Sequence, residues 1–263
     1  IGCIWASCSP DFGTAAVVDR FGQIRPTTLV VTNRYRYKGK WYCTEQKSID
    51  VVRKLPTVLY TVFCDYPAPN MNEGWTEESK RLLPGAIHFR ELGSPDCHLF
   101  PFQYAMVEVD HPVFIMFSSG TTGMPKCLVQ GFGVFLNQRK EHVLHLDVNK
   151  ETKMMFYTTC GWMMWNWMIP VLASGATLVL YDGAAIPDNP LYLWTLAESE
   201  GITHFGTSAR YIQALQDLNL GISTVLGTSF EQLKCILVTG SPSFERNFHY
   251  IAENLGSHVR YIS

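Results

Sequence analysis

The sequence predicts an α/β fold in which mostly parallel sheets are covered by helices. Short β-prone runs such as TTLVV and CILVT alternate with helical patterns along the chain, the rhythm of parallel strands joined by crossover helices. These runs are apolar throughout rather than at every second residue, which suits strands buried on both faces. With 263 residues, 47% of them hydrophobic and 17% charged, the chain has enough apolar content for one large domain or two small ones, and intrinsic disorder is excluded.

Taken in order, GCIWAS reads as a strand, a helix follows from about Asp11, TTLVVTN is a second strand, a helix lies around Ser48 to Arg53, and TVLYTVF is a third strand. This is a βαβαβ rhythm. From Cys64 to about Val109, Pro67, Pro69, Pro84, Pro95 and Pro101 punctuate the chain. That interval is expected to be a long irregular connection with a short helix in EESKRLL. The strand Val113–Phe117, a loop rich in glycine and hydroxyls, a short strand CLVQ and a helix through Phe135, Leu136, Arg139, Val143 and Leu146 come next. MMFYTT, ATLVLY, ITHFGT, LKCILVTG and HVRYIS then read as strands. The tryptophan-rich segment, LYLWTLAESE, SARYIQALQDL and FERNFHYIAENL read as the helices between them. A change of sheet is expected near Asp182 to Pro190, where Gly183, Pro187 and Pro190 cluster.

Composition removes several classes of function. Lys and Arg total 21 against 23 Asp and Glu, for a formal charge of -2. Neither a nucleic-acid partner nor an anionic membrane surface is expected. The eight cysteines are scattered singly, with no CxxC pair, and read as reduced thiols of a cytosolic protein. IGCIWASCSP lacks the pattern of a signal peptide, and with no initiator Met and an abrupt end at Ser263 both ends are expected to be cuts through a longer protein. Thr159 to Tyr181 carries no charge and approaches the length of a bilayer span. Asn166, Pro170, Ser174, Gly175 and Thr177 interrupt it, however, so a buried helix stopping near Gly175, followed by a central strand, is expected instead.

The most informative stretch is MFSSGTTGMPKCLV. Ser118, Ser119, Thr121 and Thr122 surround Gly120 and Gly123, and Lys126 closes the loop. Glycines let several N–H groups converge on one point, and such a nest binds anionic oxygen. The hydroxyls add neutral donors and the lysine adds a positive charge for outer phosphates. A triphosphate or pyrophosphate cradle is therefore expected. It is not a P-loop, because Pro125 precedes the lysine and β-prone CLV follows it where a P-loop enters a helix directly. The loop is expected to tip a strand hairpin.

SSGTTGMPK resembles the signature of the acyl-adenylate-forming ligases, the superfamily of acyl-CoA synthetases, adenylation domains and luciferases. SPDFGTAAVVDRFGQIRP, TTCGWMMWNWM, SGATLVLYDG, THFGTSARYI and VTGSPS resemble its acetoacetyl-CoA synthetase branch in particular. The resemblance implies that residues 1–263 are a partial AMP-binding domain, the large N-terminal part of such a ligase, without its C-terminal lid. It also implies an ATP-dependent reaction through an acyl-adenylate, with ATP, Mg2+ and coenzyme A as cofactors and co-substrates and acetoacetate as the acid, serving cytosolic use of ketone bodies for lipid synthesis. Lys126 and Thr122 would act on the departing pyrophosphate, within a nucleotide site of Ser118, Ser119, Gly120, Thr121, Thr122, Gly123 and Lys126. Gly240, Ser241 and Pro242, after the strand LKCILVTG, would line the adenine pocket. Trp162 would border the acyl pocket and favour a small acid, while the rest of its tryptophan- and methionine-rich segment reads as core.

Other candidates are weaker. His142 and His145 lack a carboxylate or cysteine partner nearby and read as an exposed helix face rather than a metal site. Asp19 and Arg20 suit a structural ion pair, and no Gly-x-Ser-x-Gly nucleophile motif occurs. Against the family's pattern, Gln130-Gly131-Phe132 replaces a His-Ser-His run, which puts the acid-binding side in question. The family's acidic nucleotide segment, ribose aspartate, hinge and C-terminal lysine would lie beyond Ser263, so the isolated chain is expected to be catalytically incompetent. Two alternatives stay open: an acetyl- or propionyl-CoA ligase, and an inactive nucleotide-binding relative acting through protein contacts.

Overall fold

The computed structural model describes residues 2–66, 74–93, 103–119, 123–184, 186 and 188–263. They form two compact units, residues 1–133 and 134–263. The mixed α/β architecture with mainly parallel pairing agrees with the sequence reading.

In the first unit, β1 (Trp5–Ala6) leads to α1 (Thr14–Ile24) and β2 (Thr28–Thr32). A hairpin of β3 (Arg34–Tyr37) and β4 (Lys40–Cys43) follows, then α2 (Glu45–Lys54), β5 (Tyr60–Cys64), α3 (Glu77–Arg81) and β6 (Ala86–His88). The unit ends with β7 (Pro112–Phe117) and β8 (Cys127–Gly131). β2, β5 and β6 form a parallel sheet. Its core gathers Phe21 of α1, Ile49, Val51 and Val52 of α2, and Leu29 and Phe63 of the strands.

Four points differ from the sequence reading. β1 does not join the sheet of β2 but pairs with β7, with Trp5 opposite Phe114, because chain order does not dictate which strand a two-residue segment meets. The β3–β4 hairpin was not anticipated, although Lys38 and Gly39 at its tip have φ of 46° and 72°, the paired positive angles of a tight hairpin turn. The interval after Cys64 contains the expected short helix, α3, but it is not otherwise wholly irregular, for β6 pairs there with β5. Asp19 and Arg20 do not form the expected ion pair. Arg20 donates to the Ala16 carbonyl at 2.8 Å and lies over the Phe12 ring, 5.0 Å from its centroid.

The second unit opens with α4 (Gly133–Lys140) and a π-helical turn at Glu141–His145, then β9 (Lys153–Phe156), α5 (Met163–Met168) and β10 (Thr177–Leu178). It continues with α6 (Tyr192–Ser199), β11 (His204–Ser208), α7 (Ala209–Asp217), α8 (Ile222–Leu226), β12 (Cys235–Thr239), α9 (Glu245–Leu255) and β13 (Arg260–Ile262). The five strands form one fully parallel sheet in the order β10, β9, β11, β12, β13. Successive side chains of a strand point to opposite faces. Met155, Phe205, Ile236 and Val238 accordingly pack with α6, α7 and α9, while Met154, Phe156, Cys235 and Leu237 pack with α5 on the other side. Covering both faces is what the uniformly apolar strand sequences require.

The sheet does not change near 182–190, because β10 before that stretch and β11 after it lie in the same sheet. β10 is a short edge strand rather than a central one: only Thr177 and Leu178 pair with β9. Gly175 does terminate the preceding helical segment, at φ 77°. Among the described residues, no helix is long and apolar enough to cross a membrane.

His142 is not on an exposed face. It is fully buried, with the ring edge-on to Trp167 at 4.5 Å and 74°, and the Trp167 Nε1–H donates to Glu141 Oε2 at 2.8 Å. The π-helical turn carries His142 inward, whereas His145 stays exposed. Burial holds the imidazole neutral and lowers its pKa to about 4, against the opposing pull of Glu141. His204 is lowered too, again chiefly by burial.

Unfolded histidines titrate near ~6.5, so between that value and about 4 the unfolded chain binds more protons than the folded one. Stability therefore rises with pH through this window and is lost as pH falls through it. Urea titrations between pH 7 and pH 4 should show this loss. His142→Asn should flatten it by on the order of 2–3 kcal/mol, leaving the smaller contribution of His204. A side chain at Gly206 would collide with the Phe156 ring. Gly206→Ala should destabilise the chain by about 1–3 kcal/mol in the same assay.

Candidate functional site

The hydroxyl- and glycine-rich loop does tip a hairpin, since β7 and β8 are antiparallel and pair up to Phe117 and Cys127. Two hydrogen bonds close its neck. The Ser118 N–H donates to the Lys126 carbonyl at 3.0 Å, and the Lys126 N–H donates to Ser118 Oγ at 2.9 Å. Ser118 is therefore an acceptor within the neck, with its own hydroxyl proton left to donate. Gly123 has φ 147°, and no neighbour would touch a side chain there. Glycine answers a conformational demand at this point, not a packing one. Ser119 and Lys126 are exposed, while Gly120, Thr121 and Thr122 lie outside the described residues.

Helix α1 braces this hairpin on both strands, which the motif alone did not reveal. Phe21 packs on Phe117, the last residue of β7, with ring centroids 6.2 Å apart. Gln23 Nε2 donates to the Pro125 carbonyl at 2.9 Å and to the Asp19 carbonyl at 2.6 Å, and the Cys127 thiol donates to Gln23 Oε1 at 3.6 Å. One amide thus ties the helix to the base of the loop on either side of Lys126. These contacts fix the base of the hairpin, at Phe117 and Ser118 on one side and Pro125 to Cys127 on the other. Gln130, in the run that departs from the family's pattern, lies opposite Phe114 in β8. Its Oε1 is buried with no hydrogen-bond partner among the described residues.

In the second unit the informative feature is a reversal of strand order between β9 and β11. β9 leads into α5 on one face of the sheet, whereas β11, its neighbour, leads into α7 on the opposite face. Adjacent parallel strands whose connections leave to opposite sides open a crevice at their carboxyl ends, where ligands bind in sheets of this kind. The segment after β9 enters it as Thr158, Thr159, Cys160, Gly161 and Trp162, with the Trp162 N–H donating to the Thr159 carbonyl at 3.1 Å. Trp162 precedes α5 as its N-cap residue and is 60% exposed, so it is not part of the core. Asn166, Trp167 and Met168 are core, but Met163 is half-exposed, contrary to the reading of the whole segment as packing.

After β12, Gly240 turns the chain at φ 85°, Ser241 Oγ is buried with no partner among the described residues, and Pro242 is exposed. The sequence reading passed over Thr159, whose hydroxyl oxygen is likewise buried and unpartnered among the described residues. Ser241 was named from the sequence and Thr159 was not; the unpartnered burial of either hydroxyl could not be read from local pattern, since it exists only in the folded chain. Among the described residues, no group of three or more His, Cys, Asp or Glu side chains is placed to hold a metal ion, and none of the seven cysteines described forms a disulfide. Cys97 lies outside the described residues.

Each unit by itself thus carries a candidate ligand-binding feature, a hairpin with hydroxyls, glycine and a lysine in the first and a switch-point crevice in the second. The chain belongs to the AMP-binding enzyme family, whose model matches residues 1–255. More specifically, it is similar to acetoacetyl-CoA synthetases: it is 37% identical to that of Gallus gallus over 98% of its length and 37% identical to that of Rhizobium meliloti over 100%. The structure of acetoacetyl-CoA synthetase from Streptomyces lividans superposes with a TM-score of 0.85 at 32% identity, covering the whole chain. Malonamoyl-CoA synthetase of Penicillium aethiopicum is 34% identical over 98% of the chain. The chain spans about 38% of the length of these relatives.

The brace supplied by α1 leads to a direct expectation. Gln23→Ala should weaken binding of an ATP analogue by about 3–10-fold, the loss of one or two modest hydrogen bonds, with the circular dichroism of the fold unchanged. Isothermal titration with the non-hydrolysable nucleotide measures the first effect.

Proposed function

We propose that the full-length protein is an ATP-dependent acid–thiol ligase that activates acetoacetate to acetoacetyl-CoA through an acyl-adenylate. The braced hairpin is the observation that carries this reading. A neck closed by Ser118 and Lys126, with an exposed lysine beside exposed Ser119, suits the polyphosphate tail of a nucleotide. The similarity to acetoacetyl-CoA synthetases over nearly the whole chain points to the same acid.

In the first step a carboxylate oxygen of the acid attacks the α-phosphorus of ATP. The bond from that phosphorus to the bridging oxygen breaks, and pyrophosphate departs with the bonding pair. Negative charge accumulates on the leaving group, so donors aimed at it lower the barrier more than they tighten substrate binding. Ser118, Ser119, Gly120, Thr121, Thr122 and Gly123 form this donor set, and the Lys126 ammonium meets the outer phosphates. In the second step the sulfur of coenzyme A attacks the acyl carbon, the carbon–oxygen bond to AMP breaks, and the thiol proton leaves to solvent. Gly240, Ser241 and Pro242 would lie against adenine, and Trp162 against the acyl chain. Mg2+ would accompany ATP, but the described residues offer no ligand set that fits it, and no step is assigned to it. A cytosolic setting accords with this use of soluble substrates.

ATP–pyrophosphate exchange tests the reading. Exchange by the full-length protein should be stimulated by acetoacetate and far less by acetate, and Lys126→Ala should reduce it by about 10²-fold or more. Nucleotide binding with no acid-stimulated exchange would mark an inactive relative. Exchange driven equally by acetate or propionate would mark a different ligase.

A further inference from the structure

The acid named above differs from a plain short-chain acid such as butyrate by one atom of consequence, the carbonyl oxygen on its β-carbon. Malonamate, the acid implied by the name of another relative, carries a β-carbonyl as well. A purely apolar pocket cannot discriminate strongly in favour of such an oxygen, whereas a buried donor can, because it is left unpaired when the oxygen is missing.

The second unit contains one such donor where an acid would lie. Thr159 follows β9 at the switch between β9 and β11, and the last backbone bond of that strand pair is the Tyr157 N–H to the Gly206 carbonyl at 2.8 Å. Beyond it the segment leaves the sheet. The Thr158 hydroxyl turns back onto the Thr159 carbonyl at 3.3 Å, and the Trp162 N–H reaches the same oxygen at 3.1 Å. The Thr159 backbone is thereby held by its neighbours on both sides. Its hydroxyl oxygen, in contrast, is buried with no partner among the described residues. Buried hydroxyls in native proteins are nearly always paired, and one left over at a ligand-binding edge calls for a partner from outside the chain. The exposed indole of Trp162 stands three residues further on.

We propose that Thr159 is a specificity-determining residue, its hydroxyl donating to the β-carbonyl oxygen of the acid. This rests on the ligase reading above. The hydroxyl selects β-oxo acids over their saturated counterparts of equal length, while the backbone turn fixed by Thr158 and Trp162 holds the donor in place. Threonine suits the role because its Cβ methyl limits rotation of the hydroxyl.

The test compares acetoacetate with butyrate in ATP–pyrophosphate exchange by the full-length protein, its Thr159→Val variant and its Thr159→Ser variant. Valine keeps the shape and removes the donor, so kcat/KM for acetoacetate should fall about tenfold or more while that for butyrate stays within about threefold. Serine keeps the donor and should retain the acetoacetate-to-butyrate ratio within about threefold. Butyrate exchange reports in each variant that the site is still folded. Equal losses for both acids in Thr159→Val, or an unchanged ratio, would overturn the assignment alone. A wild-type protein with no acetoacetate-stimulated exchange would overturn the ligase reading and the assignment with it.

Discussion

A parallel sheet covered on both faces leaves its strand ends as the only part of the sheet open to a ligand, and the second unit is organised around that constraint. Met155, Phe205, Ile236 and Val238 are committed to one apolar layer and Met154, Phe156, Cys235 and Leu237 to the other. These central side chains are thus consumed by packing. Chemistry is pushed to the residues just past the carboxyl ends, where Thr159, Gly161, Trp162, Gly240 and Ser241 occur. The close approach of Gly206 to the ring of Phe156, its partner on β9, shows how tightly the neighbouring strands pack near that end.

The first unit solves a different problem, which is to fix the base of a hairpin whose Ser119, Gly123 and Lys126 stay exposed. An exposed hairpin rich in glycine has a high conformational entropy to lose when it grips a ligand. Here part of that entropy is removed in advance by the Ser118–Lys126 neck and by α1, through the Phe21–Phe117 ring contact and the Gln23 amide. Helix α1 is itself seated by its apolar face on the core shared with α2. Packing of Val17, Val18, Phe21 and Ile24 on the core thereby positions Gln23 beside the hairpin.

Much of this was legible in the chain itself. The hairpin strands, the helices carrying Ile212 and Leu215 or Tyr250 and Ile251, and the stop at Gly175 all follow from periodicity and backbone chemistry within a few residues. The misreadings share one cause. Whether β1 lies beside β2 or β7, whether β10 is central or at an edge, and whether the sheet changes near 182–190 are questions of which distant segment comes alongside, and apolar content is the same for either answer. His142 illustrates the point at a single side chain, for its burial depends on a π-helical turn and on Trp167 arriving from α5.

The sequence by itself determined the α/β class, the approximate positions of most strands and helices, and the strand hairpin that carries the stretch from Ser118 to Lys126, because each is written in residues close together along the chain. Tertiary structure alone decided that Gln23 supports a loop 102 residues away, and that β9 and β11 send their helices to opposite faces. It also decided that the Thr159 hydroxyl is buried without a partner among the described residues. The reason is physical: a hydrogen bond or a burial belongs to a pair of groups, and when folding brings that pair together from remote parts of the chain, no local pattern carries its trace.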